Sequence, residues 1–315
     1  MNYDRDNKIW RVLGPLFAYL GIRFLVETIF YVVLWNIKFK ELNVSAAFNG
    51  ILYVEEYSDY VLGYALVMTL ISLLVSIPIM YLMVKKDYEY PVNPRRKEKK
   101  FIFKDYFEKI DVKKFNYPII LGILAPLGIG RFIALLPIDG ILGSYKNVQS
   151  NLAGSSVILQ FLVLGILTPI LEELLFRGVI YKRLKMYCDV SVAAYIAAII
   201  FAIAHFNLIQ GLYAFILGIV LSYIYEKNGS LVDTMVAHSA ANMVSVVMGI
   251  NPLSKFIDRY ILIRIIVSIV MIGLFVMVLS RMNQKKQIDE VIIDEMIIDE
   301  EIIDEEIIDE EIIDE

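Results

Sequence analysis

The chain is short of the residues that most metal and redox chemistry needs. Its 315 residues include one cysteine, Cys188, and two histidines, His205 and His238. A single thiol excludes an intrachain disulfide and any Cys-rich metal centre. Neither histidine belongs to a His-Glu-x-x-His helix, the usual zinc-binding arrangement. The polar residues ahead of the first apolar run end in no small-residue cleavage pattern, which argues for a retained span and against a cleaved signal peptide. Long polar stretches are also scarce. Hydrophobic residues make up 58% of the chain and the mean hydropathy is +0.63, which sets it among polytopic membrane proteins and apart from soluble enzymes.

What is present is a series of apolar runs, each about 20 residues long, the length that crosses a bilayer. They fall near Leu13–Trp35, Tyr60–Val84, Tyr117–Ile138, Ser156–Tyr181, Val190–Phe206, Ile209–Tyr225, Leu231–Ile250 and Ile261–Ser280. The expected fold is therefore all-α, with about eight transmembrane helices. The formal net charge of -5 is misleading, because Asp289–Glu315 holds 15 acidic and no basic residues, leaving a body with 30 basic against 20 acidic residues. Lys85–Lys114 is the most basic linker, and the positive-inside rule places it in the cytoplasm; an even number of spans then puts both termini there, with Arg177–Lys185 and Arg281–Lys286 on the same side. This linker reads as a solvated topogenic loop and not as a nucleic-acid patch, although its FIFKDYFEKI stretch could lie as an interfacial helix. After Lys286 the chain repeats VIIDE, MIIDE and EIIDE. A period of five gathers isoleucines on neither a helix face nor a strand face, so this is an acidic low-complexity tail. Three regions follow: 1–155, N-terminal spans and basic linker; 156–286, a chemical core; and 287–315, the tail.

Ionisable residues inside apolar helices are costly and mark functional sites. In the fourth span, Glu173 and Arg177 are four residues apart on one helix face and form an expected ion pair, while Glu172 points about a quarter-turn away and is left without a local partner. An unpaired acid in such surroundings is suited to taking up and returning a proton. Pro169, just before it, frees the carbonyl of Gly165. Arg23 and Glu27 in the first span form a second expected pair, read as structural, and Asp139 and Asp258 sit at wet span edges. Either histidine alone would be read as a packing residue. Together, Glu172, His205, His238 and Asn242 bring an acid, two imidazoles and an amide from three spans. Such a set suits water attack on an amide, with the carboxylate as base and imidazole and amide donors at the oxyanion. Two histidines and a carboxylate are also a sufficient first shell for zinc with an open position.

PILEELLFRG, FAIAHF and NGSLVDTMVAHSAAN occur in that order over about Val157–Ser245. They resemble the Glu-Glu-x-x-x-Arg, Phe-x-x-x-His and His-x-x-x-Asn motifs of the CAAX protease and bacteriocin-processing family, the Abi or Rce1-like intramembrane proteases. The resemblance implies about eight helices around a cavity open to the cytoplasm. It implies that Glu172 activates water with help from His205, that His238 and Asn242 form the oxyanion site, and that Glu173 and Arg177 give structural support. It leaves the cofactor open, between none and zinc. The partners it implies are the lipid bilayer and a membrane-associated or prenylated (CAAX-type) protein or peptide, with no nucleic acid, at the plasma membrane. Two other classes fit the same residues: a non-catalytic scaffold or bacteriocin immunity protein of this fold, and a metal or proton carrier.

Overall fold

The computed structural model describes residues 8–41, 60, 61, 63–89, 115–136 and 156–284. The linker at 90–114 with its FIFKDYFEKI stretch, Asp139 and the acidic tail lie outside those residues. The described residues form helices and no strand: α1 (Lys8–Glu41), α2 (Ala65–Glu89), α3 (Asn116–Ile133), α4 (Val157–Leu184), α5 (Val190–Ile203), α6 (Leu208–Asn228), α7 (Leu231–Ile250), α8 (Pro252–Arg259) and α9 (Ile261–Gln284). Among these, α1, α2, α3, α4, α6, α7 and α9 are long and apolar enough to cross a membrane. The protein is an all-α, polytopic integral membrane protein.

The fifth expected span is shorter than its apolar run suggests. α5 has 14 residues, and at 1.5 Å per residue it reaches about 21 Å, less than the hydrocarbon core of about 30 Å. It stops because Phe206 adopts a positive φ of 52° and Asn207 begins the next helix, its side chain accepting from the backbone of Ile209 and Gln210 at 3.1 Å. α6 ends on Gly229 in the left-handed conformation, and Ser230 caps α7.

Two apolar clusters hold the bundle. One gathers Val12 of α1, Leu73 and Met80 of α2, Leu171 and Leu175 of α4 and Phe201 of α5. The other joins Leu121 of α3, Leu221 of α6, Ala237 of α7 and Phe275 of α9. Glycines let particular helices approach closely, as small residues do in membranes. A Cβ at Gly122 would lie 2.2 Å from the carbonyl oxygen of Ala237, and one at Gly218 would lie 3.1 Å from the Ala198 Cβ, so α3 meets α7 and α5 meets α6 almost backbone to backbone.

Polar contacts fix which helix ends share a face. Arg183 pairs with Asp87 at 2.7 Å and donates to the carbonyl of Arg11, Lys185 pairs with Glu226 at 2.6 Å, and Lys227 bonds Asn283. The start of α1 and the ends of α2, α4, α6 and α9 therefore lie together. Near the other end of α3, Arg131 is 5% exposed and donates to Asp258 at 3.1 Å and to Ser254 at 2.6 Å. Asp258, expected to be merely solvated at a span edge, instead neutralises a buried cation. The pair is separated by 127 residues, so only the tertiary fold reveals it.

Candidate active site

α4 carries its two glutamates in an α-helical turn, Thr168–Glu173, between π-wound segments Phe161–Leu167 and Leu174–Tyr181. Such local rewinding re-aims side chains and is frequent at functional sites. Glu173 turns fully inward. Its Oε1 accepts from Arg177 Nη1 at 2.7 Å, the expected ion pair, with the two side chains 0% and 1% exposed. Arg177 also donates from Nη2 to the carbonyl of Gly218 at 3.0 Å, and its guanidinium lies 4.9 Å from the centre of the Phe201 ring. The pair thus braces α4 against both α5 and α6.

His238 comes from α7 and meets both acids. Nδ1 lies 2.8 Å from Glu173 Oε1, and Nε2 lies 3.4 Å from Glu172 Oε2. A carboxylate only accepts, so Nδ1 carries the hydrogen toward Glu173. Nε2 then offers a lone pair in neutral imidazole and a donor in imidazolium. Glu172, left without a local partner in the sequence, has one across the bundle. Its side chain is 18% exposed, which separates it sharply from its sealed neighbour.

His205 sits just past α5, where the helix tightens: its backbone N–H bonds Ala202, three residues back. The carbonyl of Phe201 is instead taken by the His205 ring, whose Nδ1 lies 2.8 Å away and must donate. That leaves the Nε2 lone pair as an acceptor in neutral imidazole. Phe201 connects the two histidines. Its ring meets His205 edge-on at 4.7 Å and His238 at 5.8 Å. Glu172, His238, Phe201 and His205 form one chain of contacts.

Asn242 lies one turn beyond His238 on α7 and donates from Nδ2 to the carbonyl of Leu164 at 2.9 Å. The winding of α4 explains the partner. Thr168 N–H bonds back to Val163, five residues away. The next link in that register would run from residue 169 to Leu164, but Pro169 has no N–H to give. The carbonyl left over is therefore that of Leu164 and not of Gly165, and Asn242 fills it. One amide hydrogen of Nδ2 remains for another acceptor.

The sequence missed three members of this arrangement: Phe201 as the ring between the imidazoles, and the carbonyls of Leu164 and Gly218. Phe201 was visible within FAIAH without any signal of what it touches; the carbonyls have no sequence signal. As for zinc, no three His, Cys, Asp or Glu side chains among the described residues come together to hold a metal ion. Two imidazoles and a carboxylate are not assembled as a zinc site among the described residues.

Residues 154–244 match the family model described as type II CAAX prenyl endopeptidase Rce1-like. The chain is 29% identical over 142 residues to "Putative membrane peptidase YdiL" of Bacillus subtilis (strain 168), covering 41% of this chain and 58% of that protein. It is 31% identical over 97 residues to the UPF0177 protein YxdF of Lactococcus lactis subsp. lactis (strain IL1403), covering 30% of this chain and 53% of the relative. The chain thus spans little more than half the length of the curated relatives it matches. No solved structure matches it. The helices that build the carboxylate and imidazole site, α4 to the first part of α7, lie within the residues that match that family model.

Proposed function

We propose that this protein is an intramembrane endopeptidase in which Glu172 is the general base, with a membrane-associated or prenylated peptide as substrate. The observation that carries the reading is the contrast between two adjacent acids. Glu173 is sealed and engaged by Arg177 and His238, while Glu172 is partly open and faces His238 Nε2. Only the open one is placed to exchange a proton with water.

Glu172 takes a proton from a water molecule whose second hydrogen is accepted by His205 Nε2. The oxygen bonds the scissile carbonyl carbon, and the carbonyl electron pair moves to oxygen. Imidazolium at His238 and the remaining amide hydrogen of Asn242 donate to that oxyanion, in the manner of preorganised oxyanion sites. Glu172 then gives its proton to the amide nitrogen as the C–N bond breaks, releasing an acid and an amine. Residues 156–286 carry this chemistry. The helix ends bearing Arg183, Lys185 and Lys227 face the cytoplasm, by their positive charge, with both termini on that side. The plasma membrane is the proposed location.

The test is turnover by purified protein in liposomes on matched prenylated and unprenylated peptides, comparing wild type with Glu172→Gln. Glutamine keeps the shape and removes the base, so turnover falls by about 10²–10⁴ while yield is unchanged. Wild-type protein with no cleavage of any peptide, and a cellular phenotype unaltered by Glu172→Gln, would turn the assignment toward a scaffold or immunity protein.

A further inference from the structure

α8 (Pro252–Arg259) links two membrane-crossing helices. α7 starts beside the end of α6, on the face that holds Lys185, Glu226, Lys227 and Asn283, and α9 returns to that face, so Ile250 and Ile261 lie at the opposite end of the bundle. Asn251 fixes the turn into α8, its side chain accepting from the Leu253 N–H at 2.8 Å, with Pro252 in the first turn. At about 100° per residue the helix has three faces. Ser254 and Asp258 share one, and the buried Arg131 guanidinium donates to them at 2.6 Å and 3.1 Å, while the carbonyl of Arg131 accepts from Arg264 of α9 at 3.4 Å. This face is docked on α3. Leu253 and Phe256 share the second with Tyr260, the residue just past the end. These three are 65%, 51% and 47% exposed, and the Phe256 and Tyr260 rings lie 5.0 Å apart. Lys255 and Arg259 share the third face, and both are exposed. Asp258 is the only acid in the helix and Arg131 takes it, so the two cations of the third face stand uncompensated among the described residues.

We infer that α8 lies flat in the membrane interface, with Leu253, Phe256 and Tyr260 in the acyl layer and with Lys255 and Arg259 holding the phosphate of an anionic phospholipid. Its place in the chain decides the partner. A helix of 8 residues, about 12 Å long and joined at both ends to spans, cannot leave the bilayer surface. An apolar stripe beside a basic one is the pattern of interfacial helices, which sink the apolar side about 5–10 Å into the headgroup boundary. Tyr260 suits that level, because its ring is apolar and its hydroxyl stays wet. Docking on α3 fixes the roll of the helix. With the apolar face down and the Ser254 face against Arg131, the basic face points outward at headgroup level. Lys255 and Arg259 are one turn apart, about 5–6 Å between Cβ atoms, so both can reach one phosphate. α7, which carries His238 and Asn242, runs into this anchor through Asn251, so the lipid contact steadies the far end of that helix. The inference does not depend on the peptidase reading.

The experiment reads the lipid beside a single tryptophan. The chain has only two, Trp10 and Trp35, and both are replaced by phenylalanine before Phe256→Trp is introduced. The full chain is placed in vesicles of phosphatidylcholine, phosphatidylglycerol or mixtures of the two, one lipid at a time carrying brominated acyl chains, which quench indole on contact. The expected emission is blue-shifted and quenched by both brominated lipids. In mixtures, phosphatidylglycerol should be preferred at least on the order of five-fold, the effect of one cation near an anionic surface. Lys255→Gln with Arg259→Gln should bring that preference to unity and leave quenching by brominated phosphatidylcholine intact. Emission that neither lipid quenches overturns the interfacial placement, and a second copy of the chain covering the stripe would give that result. Quenching without a preference, or a preference that survives the double substitution, overturns the anionic site. If Phe256→Trp lowers yield, Leu253→Trp on the same stripe gives the same readout. An active peptidase with unquenched emission sinks this inference alone, whereas an inert protein with selective quenching sinks the peptidase reading and leaves the lipid contact standing.

Discussion

His238 donates from Nδ1 to Oε1 of Glu173 across 2.8 Å, joining α7 to α4 through an oxygen that Arg177 also approaches at 2.7 Å. This single oxygen sets the ring orientation of His238 and fixes which nitrogen faces Glu172. Of the two neighbouring glutamates, Glu173 is sealed between Arg177 and His238, while Glu172 stays partly open. The ion pair is thus part of the geometry of the site as well as of the fold.

Removing one partner of a buried ion pair leaves an uncompensated charge and costs about 3–5 kcal/mol. Arg177→Ala should cost that much, because it strands Glu173 and also withdraws the donor to Gly218 and the cation over Phe201. Glu172→Gln removes no such brace. Melting temperature and yield of purified protein are the measurements: Arg177→Ala falls well below wild type and Glu172→Gln stays near it. Equal values for the two variants would show that the brace is not structural.

The link between Pro169 and Asn242 yields a double-mutant cycle. Asn242→Ala leaves the Leu164 carbonyl without its side-chain donor, at about 1–3 kcal/mol. Pro169→Ala restores an N–H in the register that reaches Leu164. Combined, the two substitutions should destabilise by less than the sum of their separate effects, with a coupling of about 0.5–3 kcal/mol. Additive effects in thermal unfolding would mean that the proline does not create the vacancy. Turnover should not recover with stability, since the amide at position 242 is still missing.

The motif residues were legible because charge and amide groups are rare in apolar helices. Glu172, Glu173, Arg177, His205, His238 and Asn242 stand out against isoleucine and leucine, and helix spacing alone foretells the Glu173–Arg177 pair. What the spacing could not show was rewinding. A count of four residues back from Pro169 reaches Gly165, but π winding makes it five, and the partner changes. The end of α5 was hidden for a related reason: hydropathy runs through Phe206, whereas the helix stops at Ile203, ahead of a positive φ at Phe206 and the Asn207 cap. Cross-bundle relations, such as Arg131 with Asp258 or Phe201 between two imidazoles, depend on helix docking and leave no periodic trace.

Helix docking here depends on missing side chains, and two glycines separate that effect from helix propensity. A Cβ at Gly122 would meet the Ala237 carbonyl oxygen at 2.2 Å and Ala240 Cβ at 2.8 Å. Gly122→Ala must push α3 away from α7 and with it disturb the helix carrying His238; the expected cost is about 1–3 kcal/mol. At Gly21 of α1 nothing lies within 4 Å of the same atom. Gly21→Ala should therefore gain about 0.5–1 kcal/mol from helix propensity alone. Thermal unfolding of both variants in one detergent distinguishes them, and a change of equal sign would refute the tight contact.

Phe201 makes the sharpest case for a residue without polar atoms deciding the geometry of polar ones. Its ring is 1% exposed, meets both imidazoles edge-on and lies beneath the Arg177 guanidinium. Aromatic pairs of this kind contribute about 0.5–1.5 kcal/mol each beyond area burial. Leucine keeps most of the volume but has no ring edge or face to hold either histidine in place. Phe201→Leu should accordingly lose turnover through kcat, by more than its modest loss of stability would suggest. The control is Phe275→Leu, a buried phenylalanine of the other cluster, which should show a comparable stability loss with kcat retained. Misplacement of catalytic groups by small distances can cost on the order of 10²-fold in rate, so the two variants should separate clearly in kcat at matched melting temperature. If both lose activity only in proportion to stability, Phe201 is packing and the imidazoles are positioned by their hydrogen bonds alone.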